Sequence, residues 1–135
     1  MIKKINLLII SILFSLSCFI YLTIRDNIIL FKYIENPFET YKIDFPDWII
    51  YNLPDGIWML SLTYTLLLIW NYKIKKSNII WFFSALIIAL LLEYGQKFDL
   101  IYGTYDNMDV LFIVIGFLLP IINFTKIKHY EKKIN

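Results

Sequence analysis

Five polar side chains, in three separate stretches of an otherwise apolar chain, hold most of its chemical potential: Asp55, Glu93, Gln96, Asp106 and Asp109. Carboxylates brought together can exchange protons, hold a divalent cation or accept hydrogen bonds from a polar ligand. Gln96 follows Glu93 by about one helical turn, and Asp109 stands three residues after Asp106, so each pair shares a helix face. Lys97 is placed to pair with Glu93. Asp106 or Thr104 suits a helix N-cap, and Asp55 after Pro54 suits a first turn, where acids are favourable. These are structural roles that compete with a functional one.

Other chemistry is scarce. Cys18 is the single cysteine, which leaves no disulfide within the chain. His129 is the single histidine and lies in a basic tail. A His/Cys metal set of the usual kind is therefore not expected, and nothing points to a cofactor. The acidic stretches have no serine, cysteine or histidine nucleophile beside them, so catalysis is less expected than binding.

The elements that must position these groups follow from hydropathy. Of 135 residues, 59% are apolar, 19% aromatic and 18% charged, with mean hydropathy +0.64. Soluble domains sit nearer to about 45–50% apolar. A water-soluble fold of this size has too little interior for so much apolar surface. The net charge of +2 is too small to suggest nucleic acid as a partner.

Four charge-free windows stand out: Ile5 to Ile24, Gly56 to Tyr72, Ser77 to Leu92 and Val110 to Thr125. A spanning helix needs about 17–25 residues, so the later windows must run a little into their flanks. The expected spans are 5–24, 56–72, 77–94 and 108–125. Trp48 and Trp58 mark one interface; Trp70, Tyr72 and Trp81 mark the other. Strands fit poorly, because alternation is absent and four strands cannot close a barrel. The first span is too long for a cleaved signal and ends in no small-x-small site. The fold class expected is an all-α membrane bundle of about four transmembrane helices in a single domain.

Lysines set the orientation. Lys3 and Lys4, then Lys73, Lys75 and Lys76, then Lys126, Lys128, Lys132 and Lys133 mark three cytoplasmic segments. The external loop 25–54 offsets Arg25, Lys32 and Lys42 with Asp26, Glu35, Glu39, Asp44 and Asp47. Residues 93–109 are also acidic on balance. Both termini are thus expected in the cytoplasm, with the five polar residues gathered at the outer end. Phe45 to Tyr51 is apolar and aromatic enough to lie along the membrane surface.

Helix contacts can also be read. Ala85, Ala89 and Glu93 are spaced by four and share a face. Small residues at that spacing let helices approach closely in lipid, and Gly116 would admit a neighbouring backbone in the last span. A carboxylate that extends such a face tends to meet another polar group or a wet cavity.

Glu93-Tyr94-Gly95-Gln96, followed by Gly103-Thr104-Tyr105-Asp106-Asn107-Met108-Asp109 and then Gly116, resembles the VanZ-like family of small bacterial membrane proteins. That family shows Glu-x-x-Gln on one helix and Gly-Arg-x-x-Asp-x-x-Asp leading into the next. Glu93, Gln96, Gly103, Asp106, Asp109 and Gly116 match. Thr104 stands in place of the arginine and Ile113 where asparagine is frequent; Gly56 and Met59 replace lysine and histidine after Asp55. The matched motif covers about a sixth of the chain. The resemblance implies a bacterial cytoplasmic membrane protein of the cell envelope, in a family whose namesake is linked to low-level resistance to the glycopeptide teicoplanin. It implies no defined catalysis.

Three readings remain open. The first is binding of a polar or amphiphilic envelope ligand, such as a cell-wall or lipid-linked precursor, at the outer cluster. The second is an enzyme for a lipid-linked substrate that uses paired carboxylates. The third is a subunit of a homo- or hetero-oligomeric membrane complex, with Ala85, Ala89 and Gly116 serving partner helices.

Overall fold

The computed structural model describes residues 2–24 and 45–134, with side chains described in 7–24 and 45–123. The stretch 25–44, most of the expected external loop, lies outside the described residues. So do the side chains of the C-terminal lysines and His129.

The described chain forms four α-helices: α1 (Ile2–Thr23), α2 (Leu53–Ile69), α3 (Ile79–Lys97) and α4 (Asn107–Ile134). A π-helical turn, Trp48–Asn52, leads directly into α2. The described residues hold no strand. The helix borders follow local chemistry. Pro54 sits in the first turn of α2, where its missing N–H costs nothing. α2 ends where Asn71 and Tyr72 take positive φ, 50° and 57°, and Tyr72 N–H bonds back to Leu67 O at 2.6 Å. α3 ends in the same manner at Asp99, φ 56°, with Leu100 N–H on Gly95 O at 2.9 Å. In the turn before α3, Asn78 accepts from Lys75 N–H and donates to Lys73 O, each at 2.7 Å.

These bounds shift the expected spans by a few residues. α2 begins before Gly56 and stops short of Tyr72, and α3 runs on to Lys97. α4 continues through the basic tail to Ile134, since no glycine stops it.

α2 is the hub, packing most extensively on α4 and then on α1, while α3 meets α4 and α2 along less of its length. Asn52 meets Asp109, and Gly56 and Leu60 meet Gly116, so α2 and α4 run the same way. Ile20 and Ile24 meet Ile50, and Ser17 bonds Pro54 O at 3.0 Å, so α1 runs opposite to α2. One apolar core joins Met59, Leu67, Phe82, Ile113 and Phe117. Pro120 is fully buried within α4. It offers no N–H to the Gly116 carbonyl one turn earlier.

The crossing of α2 and α4 is set by glycine. A β-carbon on Gly116 would overlap the Gly56 carbonyl oxygen, and one on Gly56 would come within 3.1 Å of Phe112. Ala85 and Ala89 both border the gap between α2 and α3, and Ala89 also packs against the apolar core. Segment 45–51 keeps Phe45 to Trp48 exposed. Trp48 stacks on Phe112 with centroids 6.1 Å apart, and Ile50 turns inward to α1. The π-helical turn makes this register available to Asn52.

α3 is long and apolar enough to cross a membrane, and most of its surface is exposed. Two shorter apolar helical stretches, Leu7–Thr23 and Asn107–Asn123, flank it in sequence.

Candidate ligand-binding mouth and groove

Two adjoining cavities open at the end of the bundle where α2 and α4 begin and α3 ends. The first is a groove of about 560 Å³ between α2 and α3. Met59, Leu62, Leu66, Ala85, Ile88, Ala89 and Leu92 make its walls, and Asp55 and Glu93 its polar limit. The second is a mouth of about 740 Å³ lined by Tyr21, Asp55, Glu93, Gln96, Tyr102, Thr104 and Asp109. Asp55, Trp58, Leu92 and Glu93 border both. The groove exists because α3 leans on α4 more than on α2, and because Ala85 and Ala89 supply little side chain to fill the gap.

Of the five polar residues expected at this end, Asp55, Glu93, Gln96 and Asp109 line the mouth. Asp106 does not. It caps α4, accepting from Met108 N–H at 2.9 Å through one oxygen. Its other oxygen accepts from the Asn52 amide at 3.0 Å. Those two hydrogen bonds, the backbone one first, hold its pKa below the ordinary carboxylate value against a smaller opposing effect of desolvation. The same Asn52 nitrogen donates to Asp109 Oδ1 at 2.8 Å. Asn52 and Asp109 are both buried, as is Glu93.

Two glycines shape the loop between α3 and α4. Ile101 lies against Gly95 so closely that a β-carbon there would fall 2.7 Å from Ile101 Cδ1. Gly103 has φ +149°, a conformation that other residues rarely adopt, and the Gln96 amide occupies the place of its missing side chain. The loop thereby closes over the end of α3 and completes the mouth. Outside it, Tyr94 and Tyr105 lie 5.9 Å apart, and the Lys97 ammonium sits 5.0 Å above the Tyr105 ring. Desolvation, then Tyr94, then the carboxylates Glu93 and Asp106 push the Tyr105 pKa up.

Sequence reasoning did not single out Asn52, Tyr21 or Tyr102, and it read Trp58 as an interface marker. Asn52 had a usable signal: an asparagine two residues before Pro54 at a helix start. Tyr21 had none, since it sits inside an apolar run. Its ring packs on Trp58 with centroids 5.0 Å apart.

Chemically, the mouth offers several acceptors, an amide and phenolic hydroxyls beside an apolar slot. Among the described residues no three His, Cys, Asp or Glu side chains are grouped to hold a metal ion. No family model, curated protein or solved structure matches the chain.

Proposed function

We propose that this chain is a four-span integral membrane protein of the bacterial envelope that binds an amphiphile, its polar head in the mouth and its apolar chain in the groove. The continuity of the two cavities carries this reading, since Asp55, Trp58, Leu92 and Glu93 border both. Ligand sites are commonly apolar clefts of about 300–1,000 Å³ with a few convergent polar groups.

The outward faces of all four helices support the membrane setting. Leu8 is 60% exposed, Ile69 62%, Ile80 67% and Leu118 43%. Contiguous apolar surface of this kind requires lipid or a partner to cover it. At about 1.5 Å per residue, the helices have lengths near the thickness of a bilayer's hydrocarbon core. The lysine-rich turn between α2 and α3 supports an orientation with that end in the cytoplasm and the mouth outside. The VanZ-like residues Glu93, Gln96, Gly103 and Asp109 all belong to the mouth. This agrees with a role in the response to envelope-directed agents such as glycopeptides.

Two measurements test the proposal. With Cys18→Ser as background, an impermeant maleimide should label Tyr102→Cys in intact cells and label Lys75→Cys only after lysis. Labelling of both in intact cells would rule out the topology. In neutral micelles, a maltoside with a brominated chain should quench Trp58 and Trp81 saturably; quenching that only tracks bulk micelle composition would remove the groove as a site.

A further inference from the structure

We infer that the turn between α2 and α3 binds an anionic phospholipid, with the lipid phosphate held among Lys73, Lys75 and Lys76. The inference rests on the proposed membrane setting and concerns the end of the bundle opposite the mouth. All three lysines are exposed. No acidic residue occurs between Asp55 and Glu93 in the sequence, and those two line the mouth, where α2 begins and α3 ends. α1 begins and α4 ends at the same end as the turn, so their backbones bring Lys3, Lys4, Lys126 and Lys128 there too. α1 holds no acid, and Glu131 is the only one after Asp109. Lysines at a membrane surface each favour an anionic headgroup by roughly five-fold.

Charge alone would describe a solvated face, but this turn also has a fixed shape. Asn78, only 5% exposed, is its clamp. The Asn78 side-chain oxygen accepts from Lys75 N–H and its nitrogen donates to Lys73 O, each at 2.7 Å. The Asn78 carbonyl accepts from Trp81 N–H at 3.2 Å, and Ile79 N–H bonds Lys75 O at 3.0 Å. The lysine backbone is thereby tied to the first turn of α3 before any ligand arrives, which lowers the ordering cost of binding. The apolar neighbours select a lipid over a soluble polyanion. Ile69 at the end of α2, Ile74 between two of the lysines, and Ile80 and Trp81 at the start of α3 are exposed. A lipid with its phosphate on the lysines can lay its acyl chains along that surface, whereas a soluble anion would leave it to water. Trp81 suits the level between headgroup and chain, where indole rings gather.

Native mass spectrometry of the full chain in neutral detergent tests this, with phosphatidylglycerol and phosphatidylcholine of equal chain length as probes. The wild type should bind phosphatidylglycerol about ten-fold more tightly than phosphatidylcholine. Lys73→Gln, Lys75→Gln and Lys76→Gln combined should cut that preference to about two-fold or less. Lys126→Gln, Lys128→Gln and Lys132→Gln combined remove the same charge from α4 and should keep at least about half of it. Asn78→Ala keeps every charge and should cut the preference by about three-fold. Should Asn78→Ala fail to fold, the two lysine triples decide, because the turn lysines are exposed and replaceable. No preference in the wild type, or equal loss in both triples, overturns the turn as the site. Displacement of phosphatidylglycerol by glycerol phosphate at the same concentration overturns the lipid as the partner. Only a chain that stays monodisperse once detergent is removed overturns the membrane setting as well.

Discussion

The Asn52 amide nitrogen lies 2.8 Å from Asp109 Oδ1, and both residues are buried. Asn52 ends the π-helical turn and Asp109 opens α4, so this bond ties two helix starts together. The nitrogen also reaches Asp106 at 3.0 Å. Hydrogen bonds to charged acceptors are worth about 1.5–3 kcal/mol each. Asn52→Ala should therefore lower unfolding stability by about 2–3 kcal/mol, and Asn52→Leu by at least as much. Chemical denaturation in micelles reads this. A double-mutant cycle with Asp109→Asn should give a coupling of about 1 kcal/mol or more; additivity would mean the bond contributes nothing.

The α2–α4 crossing makes a sharper claim. In the lipid setting proposed for this chain, helices gain little from hiding apolar surface, so close backbone approach carries much of the association. Gly116→Ala would drive its methyl into the Gly56 carbonyl, whereas Gly56→Ala meets Phe112 at 3.1 Å, and that side chain can yield. Overpacking costs about 1–3 kcal/mol. Gly116→Ala should fall at the upper end and Gly56→Ala at the lower, in the same denaturation assay. The reverse order would contradict the packing.

Asp106 supplies a pH signature. Its folded pKa is depressed by Met108 N–H and the Asn52 amide. A depressed carboxylate gives stability that is present above its unfolded pKa, 3.8, and is lost as pH falls through the lower folded value. Asp106→Asn keeps an N-cap acceptor but cannot titrate. The stability gap between wild type and Asp106→Asn should thus be constant above about pH 5 and shrink as pH falls below about 4. Melting profiles across that range measure it. Because Asp106 is exposed, solvent screening keeps the gap small.

Much of this architecture was legible in the residues. The long apolar runs announced the helices, and Pro54 and Asp106 announced the starts of two of them. The meeting of Asp55, Glu93, Gln96 and Asp109 followed from counting spans. Other features needed three dimensions. Asn52 drew no reading of its own, and it is the π-helical turn at its position that carries its amide to Asp109. Asp106 was grouped with the site, yet its two oxygens are used in capping α4 and holding Asn52. Ala85 and Ala89 have the spacing of a packing face, and Ala89 does pack on the core, but small side chains also leave a gap where the neighbour stands off, and spacing alone does not distinguish the two.

That gap yields the most direct test of the groove. Ala85 is half-buried, lines the α2–α3 groove and lies outside the α2–α4 core. Ala85→Phe places a ring in space that the wild type leaves open, so stability should change by less than about 1 kcal/mol. Binding of a brominated amphiphile should weaken by about ten-fold, because the ring takes the position of several methylenes worth about 0.8 kcal/mol each. Ala85→Ser, which adds no comparable bulk, should bind as wild type does. If Ala85→Phe binds as tightly as Ala85→Ser while both are folded, the apolar chain lies elsewhere, and the mouth would have to hold its ligand without the groove.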